Sequence, residues 1–177
     1  EPSLINVEFS QNLREKQIPI VEKYIDVVSK DNYGGGGIIS VPCGYGKTVL
    51  ALYILAKLGV KTLVVVHKEF LMNQWKERIE QFLPTARVGK IQSNVAKVED
   101  KDIVIGMLQS ISMKNYDESI FNGFGFVIYD ECHHLGAEVF SKALLKTNFK
   151  YLLGLSATPK RADGLSKVFE WYLGPIV

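Results

Sequence analysis

The stretch Ile38-Ile39-Ser40-Val41-Pro42-Cys43-Gly44-Tyr45-Gly46-Lys47-Thr48 runs directly into Val49-Leu50-Ala51-Leu52-Tyr53-Ile54-Leu55-Ala56-Lys57. Ile38 to Val41 reads as a short buried strand, and Thr48 to Lys57 as a helix that is apolar nearly all round. A helix of that kind belongs inside a domain, and Gly59 is placed to cap its end. A glycine loop joins the two and opens onto the helix N-terminus. Backbone N–H groups and the helix dipole meet there, which is the arrangement that holds a polyphosphate. The glycines let the backbone approach the anion, Lys47 can reach the β- and γ-phosphates, and the Thr48 hydroxyl can ligate Mg²⁺. One position departs from the usual phosphate-loop pattern: Val41 stands where a glycine is expected.

Outward from this loop the chain alternates between short apolar runs and helix-period segments. Upstream, residues 13–29 read as a helix with Ile18, Val21, Tyr24, Ile25 and Val28 on one face, and Gly34 to Gly37 are expected to break the chain. Downstream, Thr62 to Val66 reads as a strand. A helix follows with Leu71, Trp75, Ile79 and Phe82 on one stripe, stopped by Pro84. Arg87 to Ile91 and Asp102 to Ile105 read as strands, Leu108 to Met113 as a short helix, and Phe126 to Tyr129 as a strand. Glu138 to Lys146 reads as an amphipathic helix, Tyr151 to Leu155 as a strand, and Leu165 to Tyr172 as a last helix. About six strands separated by helices imply an α/β fold: an open, mainly parallel sheet with helices on both faces. Ligands bind beyond the carboxyl ends of the strands in such a sheet.

The composition agrees with one domain. The chain has 177 residues, 47% hydrophobic and 23% charged, which excludes disorder, collagen and a disulfide scaffold. No apolar run is long enough to span a membrane and no signal-peptide core is visible, so an intracellular protein is expected. The net charge of +2 does not by itself argue for nucleic acid. Cys43 and Cys132 each sit inside a motif, so a bridge between them is not expected. The start on Glu1-Pro2 and the apolar end Gly174-Pro175-Ile176-Val177 read as those of a piece of a longer chain.

The second chemical signal follows the strand Phe126 to Tyr129, where the chain reads Asp130-Glu131-Cys132-His133-His134. An acid at the carboxyl end of a buried strand, downstream of a phosphate loop, suits a residue that holds Mg²⁺, here Asp130. Glu131 beside it is suited to orient and deprotonate an attacking water. Zinc is not expected. Cys132, His133 and His134 are consecutive and cannot converge on one tetrahedral ion, and no second Cys/His cluster exists.

Four stretches in register resemble successive motifs of the superfamily 2 DExH-box helicases and translocases: Leu13-Arg14-Glu15-Lys16-Gln17, Pro42 to Thr48, Asp130-Glu131-Cys132-His133, and Ser156-Ala157-Thr158-Pro159. The continuation Pro159 to Leu165 looks most like the repair- and transcription-type DNA helicases and their viral and phage relatives. The resemblance covers essentially the whole chain. It implies a RecA-like lobe over residues 1–173, with 174–177 opening a hinge to a second lobe. It also implies that Arg14 and Gln17 read the adenine, that Pro42, Cys43, Gly44, Tyr45, Gly46, Lys47 and Thr48 hold the phosphates, and that Thr48 and Asp130 hold Mg²⁺. On the same ground Lys47, Asp130 and Glu131 are catalytic, while His133, Ser156, Ala157 and Thr158 couple the ATP state to grip on the strand.

Two further segments resemble strand-tracking motifs. His67-Lys68-Glu69-Phe70-Leu71 and Gly106-Met107-Leu108-Gln109-Ser110 offer Lys68, Gln109 and Ser110 as contacts to phosphate and sugar. Glu69 stands near where many members carry an arginine. Trp75 reads as a core residue on an apolar stripe rather than as a base-stacking platform, and Trp171 as packing against a neighbour outside the chain. The family works with two lobes, the second supplying arginine fingers worth about 10³ to 10⁵ in rate in related NTPases, so slow turnover is expected of this chain alone. The resemblance implies a single-stranded or duplex nucleic-acid partner, DNA being expected. The competing readings are a P-loop ATPase or kinase unrelated to nucleic acid, which leaves Gln17 and Ser156 to Thr158 unexplained, and a switch that clamps nucleic acid or a protein, for which Glu131 is superfluous.

Overall fold

A computed structural model of the chain describes residues 2–30, 34–41, 46–131, 137–147 and 149–156. Seven strands form one sheet: β1 (Gly35–Ser40), β2 (Thr62–Val66), β3 (Val88–Gln92), β4 (Val95–Lys97), β5 (Ile103–Met107), β6 (Phe126–Tyr129) and β7 (Tyr151–Ser156). Their spatial order is β1-β7-β6-β2-β5-β3-β4, and every pairing is parallel except that of β3 with β4. The helices are α1 (Ile18–Ser29), α2 (Lys47–Leu58), α3 (Glu69–Phe82), α4 (Leu108–Met113) and α5 (Ala137–Lys146).

Strand alternation sorts the core into two layers. Ile39, Val64, Val66, Ile105, Ile128 and Leu155 face one side, where α1, α2 and α3 pack through Tyr24, Leu50, Ile54, Trp75 and Ile79. Ile38, Leu63, Val65, Val104, Val127 and Tyr129 face the other, against Leu108 and Ile111 of α4 and Phe140 and Leu144 of α5. The central strand β2 is buried at every residue, as a strand covered on both faces must be. α2 buries Leu50, Ala51, Leu52, Ile54 and Leu55, and Gly59 in the left-handed region caps it by donating its N–H to the Leu55 carbonyl.

Two parts of the sheet differ from the sequence reading. Gly35 to Gly37 do not break the chain but form the first half of β1. One reason is tertiary: α1 lies close enough that a Cβ on Gly35 would sit 3.2 Å from the Val28 Cα, so a glycine suits this position of an edge strand that pairs with β7. The second difference is β4, a three-residue strand that closes a hairpin on β3 and escaped the periodicity reading. The first helix begins at Ile18 rather than at residue 13. The expected helix Leu165 to Tyr172 and the expected hinge at 174–177 lie outside the described residues. Among the described residues, no helix is long and apolar enough to cross a membrane.

Candidate active site

The candidate site lies at the carboxyl ends of β1, β6 and β7. Of the phosphate loop, Gly46, Lys47 and Thr48 are described, whereas Pro42, Cys43, Gly44 and Tyr45 lie outside the described residues. Gly46 precedes α2 with φ 71°, a left-handed conformation that glycine adopts without steric cost. It has a second reason to be glycine. A Cβ there would meet the Gln17 Nε2 at 2.9 Å and an Arg14 guanidinium nitrogen at 3.2 Å. The two residues expected to read the base therefore abut the loop expected to hold the phosphates. Gln17 is buried, and its Oε1 accepts a hydrogen bond from the Arg14 backbone N–H at 2.9 Å.

Lys47 opens α2 and points back across the sheet end toward the acids. Its Nζ lies 3.2 Å from the Asp130 Oδ1 and is also paired with the Glu131 carboxylate. Asp130 continues β6 by one residue: its backbone N–H still donates to the Val65 carbonyl at 3.0 Å, and the residue is 3% exposed. The two carboxylate oxygens have different surroundings. Oδ2 accepts a hydrogen bond from the Trp75 indole Nε1 at 2.8 Å, while Oδ1 is buried and accepts none. Glu131 has φ 53°, an uncommon conformation for a residue with a side chain, and one that turns the chain sharply out of the strand. One cation is thus held between two adjacent carboxylates at the mouth of a phosphate loop, and a polyphosphate would compete with those acids for it.

Ser156 is the last residue of β7, buried, in register with Ser40, and its carbonyl accepts from the Val41 N–H at 3.1 Å. β7 thereby supports the backbone entering the phosphate loop. His133, Ala157 and Thr158, expected to join it in coupling, lie outside the described residues.

The residues expected to touch nucleic acid sit on the next strand ends of the same sheet. Lys68 precedes α3 and is exposed. The Gln109 carboxamide donates to the His67 carbonyl at 3.3 Å, which ties the start of α4 to the turn after β2. The Ser110 hydroxyl accepts from the Ser93 N–H at 3.0 Å in the β3–β4 turn, where Ser93 has φ 52°. Gln109 and Ser110 therefore brace the loops that would line a strand track. Glu69 has a local reason to be acidic, since it occupies the first turn of α3, where a carboxylate complements the helix dipole.

Sequence reasoning placed Trp75 in the core, where it is, with 1% of its surface exposed. It did not connect Trp75 to the acids. The available signal was general: a buried indole N–H needs an acceptor, and an apolar helical stripe offers none.

A family profile described as type III restriction enzyme, res subunit, matches residues 10–161. The chain belongs to this family. Within its wider neighbourhood, the chain is 40% identical over 172 residues to a provisionally named ATP-dependent RNA helicase of Acanthamoeba polyphaga mimivirus, covering 97% of this chain and 32% of that protein. It is 37% identical over 150 residues to the DNA 3'-5' translocase XPB2 of Sulfurisphaera tokodaii, covering 80% of this chain and 31% of that protein. The chain thus spans about a third of the length of these curated relatives. Among solved structures, it is similar to the Sulfolobus solfataricus SWI2/SNF2 ATPase core in complex with dsDNA, with TM-score 0.76, 21% identity, and coverage of 98% of this chain and 37% of that one. It is also similar to the UvsW helicase of bacteriophage T4, with TM-score 0.73, 19% identity, and coverage of 100% of this chain and 64% of that one. These likenesses establish the fold: the mainly parallel sheet with helices on both faces is shared with those ATPase and helicase cores.

Proposed function

We propose that this chain is the ATP-binding motor lobe of an ATP-dependent helicase or translocase that moves on nucleic acid, with DNA as its track. The observation that carries the proposal is Lys47 held between Asp130 and Glu131, at the same sheet end where Gln17 and Arg14 meet Gly46. That set would supply a base contact, a phosphate contact, a metal oxygen and a water-activating acid at one end of the sheet.

Mg²⁺ fits the residues present. The buried Asp130 Oδ1 accepts no hydrogen bond, and a hard carboxylate oxygen is the donor this ion selects. Thr48, in the first turn of α2, would supply the second oxygen. When bound, the ion neutralises charge developing on the β- and γ-phosphates. Lys47 would exchange its two carboxylate partners for phosphate oxygens. That exchange would leave the Glu131 carboxylate able to accept a proton from water. Gln17 and Arg14 would fix the nucleotide's other end.

Residues 1–173 form the proposed ATP-binding domain, and a second lobe joined at 174–177 would complete the site with arginines and the other half of the track. Lys68, Gln109 and Ser110 are the proposed backbone contacts on this lobe, and Ser156 with His133, Ala157 and Thr158 the proposed link between the two activities. A motor consuming ATP on nucleic acid also implies an intracellular setting. The deciding experiment is Mg·ATP binding and turnover by this chain, with and without single-stranded DNA. Binding with negligible turnover is expected. DNA-stimulated turnover from a verified monomer would overturn the claim that a second lobe is needed.

A further inference from the structure

Trp75 belongs to α3, which shares a core layer with α2, and lies 55 positions before its partner in sequence. Its indole is buried in the layer that also contains Leu71 and Ile79, so the ring cannot swing without opening the core. An indole N–H donates and never accepts. Seated 2.8 Å from the Asp130 Oδ2, it can serve only one carboxylate oxygen, and it leaves Oδ1 turned toward Lys47 at 3.2 Å. A rotation of the carboxylate that withdrew Oδ2 would strand the N–H in an apolar layer. The hydrogen bond therefore distinguishes two otherwise equivalent oxygens.

We infer that Trp75 is a positioning residue for the metal: its indole N–H locks Asp130 so that Oδ1 is the oxygen offered to Mg²⁺. The inference rests on the proposed role of Asp130 and adds the residue that sets its geometry. Trp75 would contact neither ATP nor the ion. It acts through the carboxylate, as outer partners of metal ligands commonly do.

The test uses the whole chain and N-methylanthraniloyl-ATP excited directly. Trp75→Phe keeps an aromatic ring and removes the N–H. The Mg²⁺ concentration that half-saturates nucleotide binding is expected to rise about tenfold, while binding in EDTA stays within about twofold of the parent. A Trp75→Phe chain that is folded and keeps the parental Mg²⁺ dependence overturns the inference, leaving the indole a core filler. If that variant fails to fold, a Trp171→Phe chain makes Trp75 the sole indole, and its emission is followed while Mg²⁺ is added to the ATP complex. A shift that Asp130→Asn abolishes supports the inference, and no shift overturns it. Should the parent show no Mg²⁺-dependent nucleotide binding, or should Asp130→Asn leave that dependence intact, the site reading and the inference fall together. An impaired Asp130→Asn beside an unaffected Trp75→Phe sinks the inference alone.

Discussion

Two buried aspartates sit at opposite ends of the same sheet and are treated differently. Asp102, just before β5, is fully employed: Oδ2 accepts from the Arg87 backbone N–H at 2.8 Å, and Oδ1 lies 3.0 Å from the Arg87 guanidinium. Its surroundings are those of a structural acid joining the amino ends of β3 and β5. Asp130, just past β6, has one oxygen satisfied by Trp75 and one that accepts no hydrogen bond, beside a lysine shared with Glu131. Glu131 adds a left-handed backbone to that end. Both ends carry a left-handed residue, Asp100 and Glu131, so what sets them apart is the carboxylate: Asp102 has both oxygens engaged, and Asp130 keeps one oxygen that accepts no hydrogen bond. The difference separates a residue employed by the fold from one whose proposed task is chemistry.

The contrast can be broken by substitution, and the largest effect is expected at Lys47. Lys47→Ala should weaken Mg·ATP binding by at least about a hundredfold, since it removes a charge-assisted phosphate contact, and it should leave two neighbouring carboxylates unbalanced. Calorimetric titration with Mg·ATP checks it; near-parental affinity would remove Lys47 from the site. Next comes Glu131→Gln, tested in a longer chain that carries the proposed second lobe. If Glu131 has its proposed role, turnover should fall by about 10² to 10⁴ while nucleotide affinity stays within about threefold, because the substitution removes the proton acceptor alone. Parallel loss of binding would show that Glu131 shapes the pocket instead.

Asp102→Ala should invert the pattern. Nucleotide binding is unchanged, but the melting midpoint drops by about 5 °C, the consequence of leaving a backbone N–H without its acceptor. A loss of ATP affinity at constant stability would erase the distinction between the two sheet ends. The smallest effect belongs to Lys61, at the amino end of β2. Its ammonium donates to the Val98 carbonyl at 2.6 Å and lies over the Phe124 ring, and burial lowers its pKa from 10.5. Between that lowered value and 10.5 the unfolded chain holds the proton more readily, so folding stability should rise with pH across the window. Comparing Lys61→Met with the parent by urea unfolding at several alkaline pH values isolates this slope. Identical slopes would show that burial does not penalise the charged amine.

The legible parts of this fold are those fixed by local signals. β2, β6 and α4 fall at the residues where apolar runs meet their punctuation, because their bounds depend on neighbours in sequence. Gly35 to Gly37 were misleading, since glycine's tolerance of a strand there depends on α1 pressing against it from another part of the chain. β4 was invisible because three residues carry no period, and its pairing is supplied by β3. The site divides in the same way. The candidate residues Lys47, Asp130 and Glu131 stood out through their position after strands, and the structure brings them together. The packing of Gln17 against Gly46 and the hydrogen bond from Trp75 to Asp130 join distant segments, and no spacing rule contains them.

The sheet order also fixes a sequence of events during synthesis. Among the described residues β1 lies at the sheet edge with β7 as its one neighbour, and Tyr24 of α1 donates to the Leu152 carbonyl 128 positions away. β2, β3, β5 and β6 can associate as they leave the ribosome, whereas β1 must wait for a strand made much later. Until Ser156 has emerged, the phosphate loop has no frame to hold it. A nascent chain stalled before β7 should therefore expose Gly35–Ser40 to protease and chaperone, and ATP should protect it only after β7 is in place.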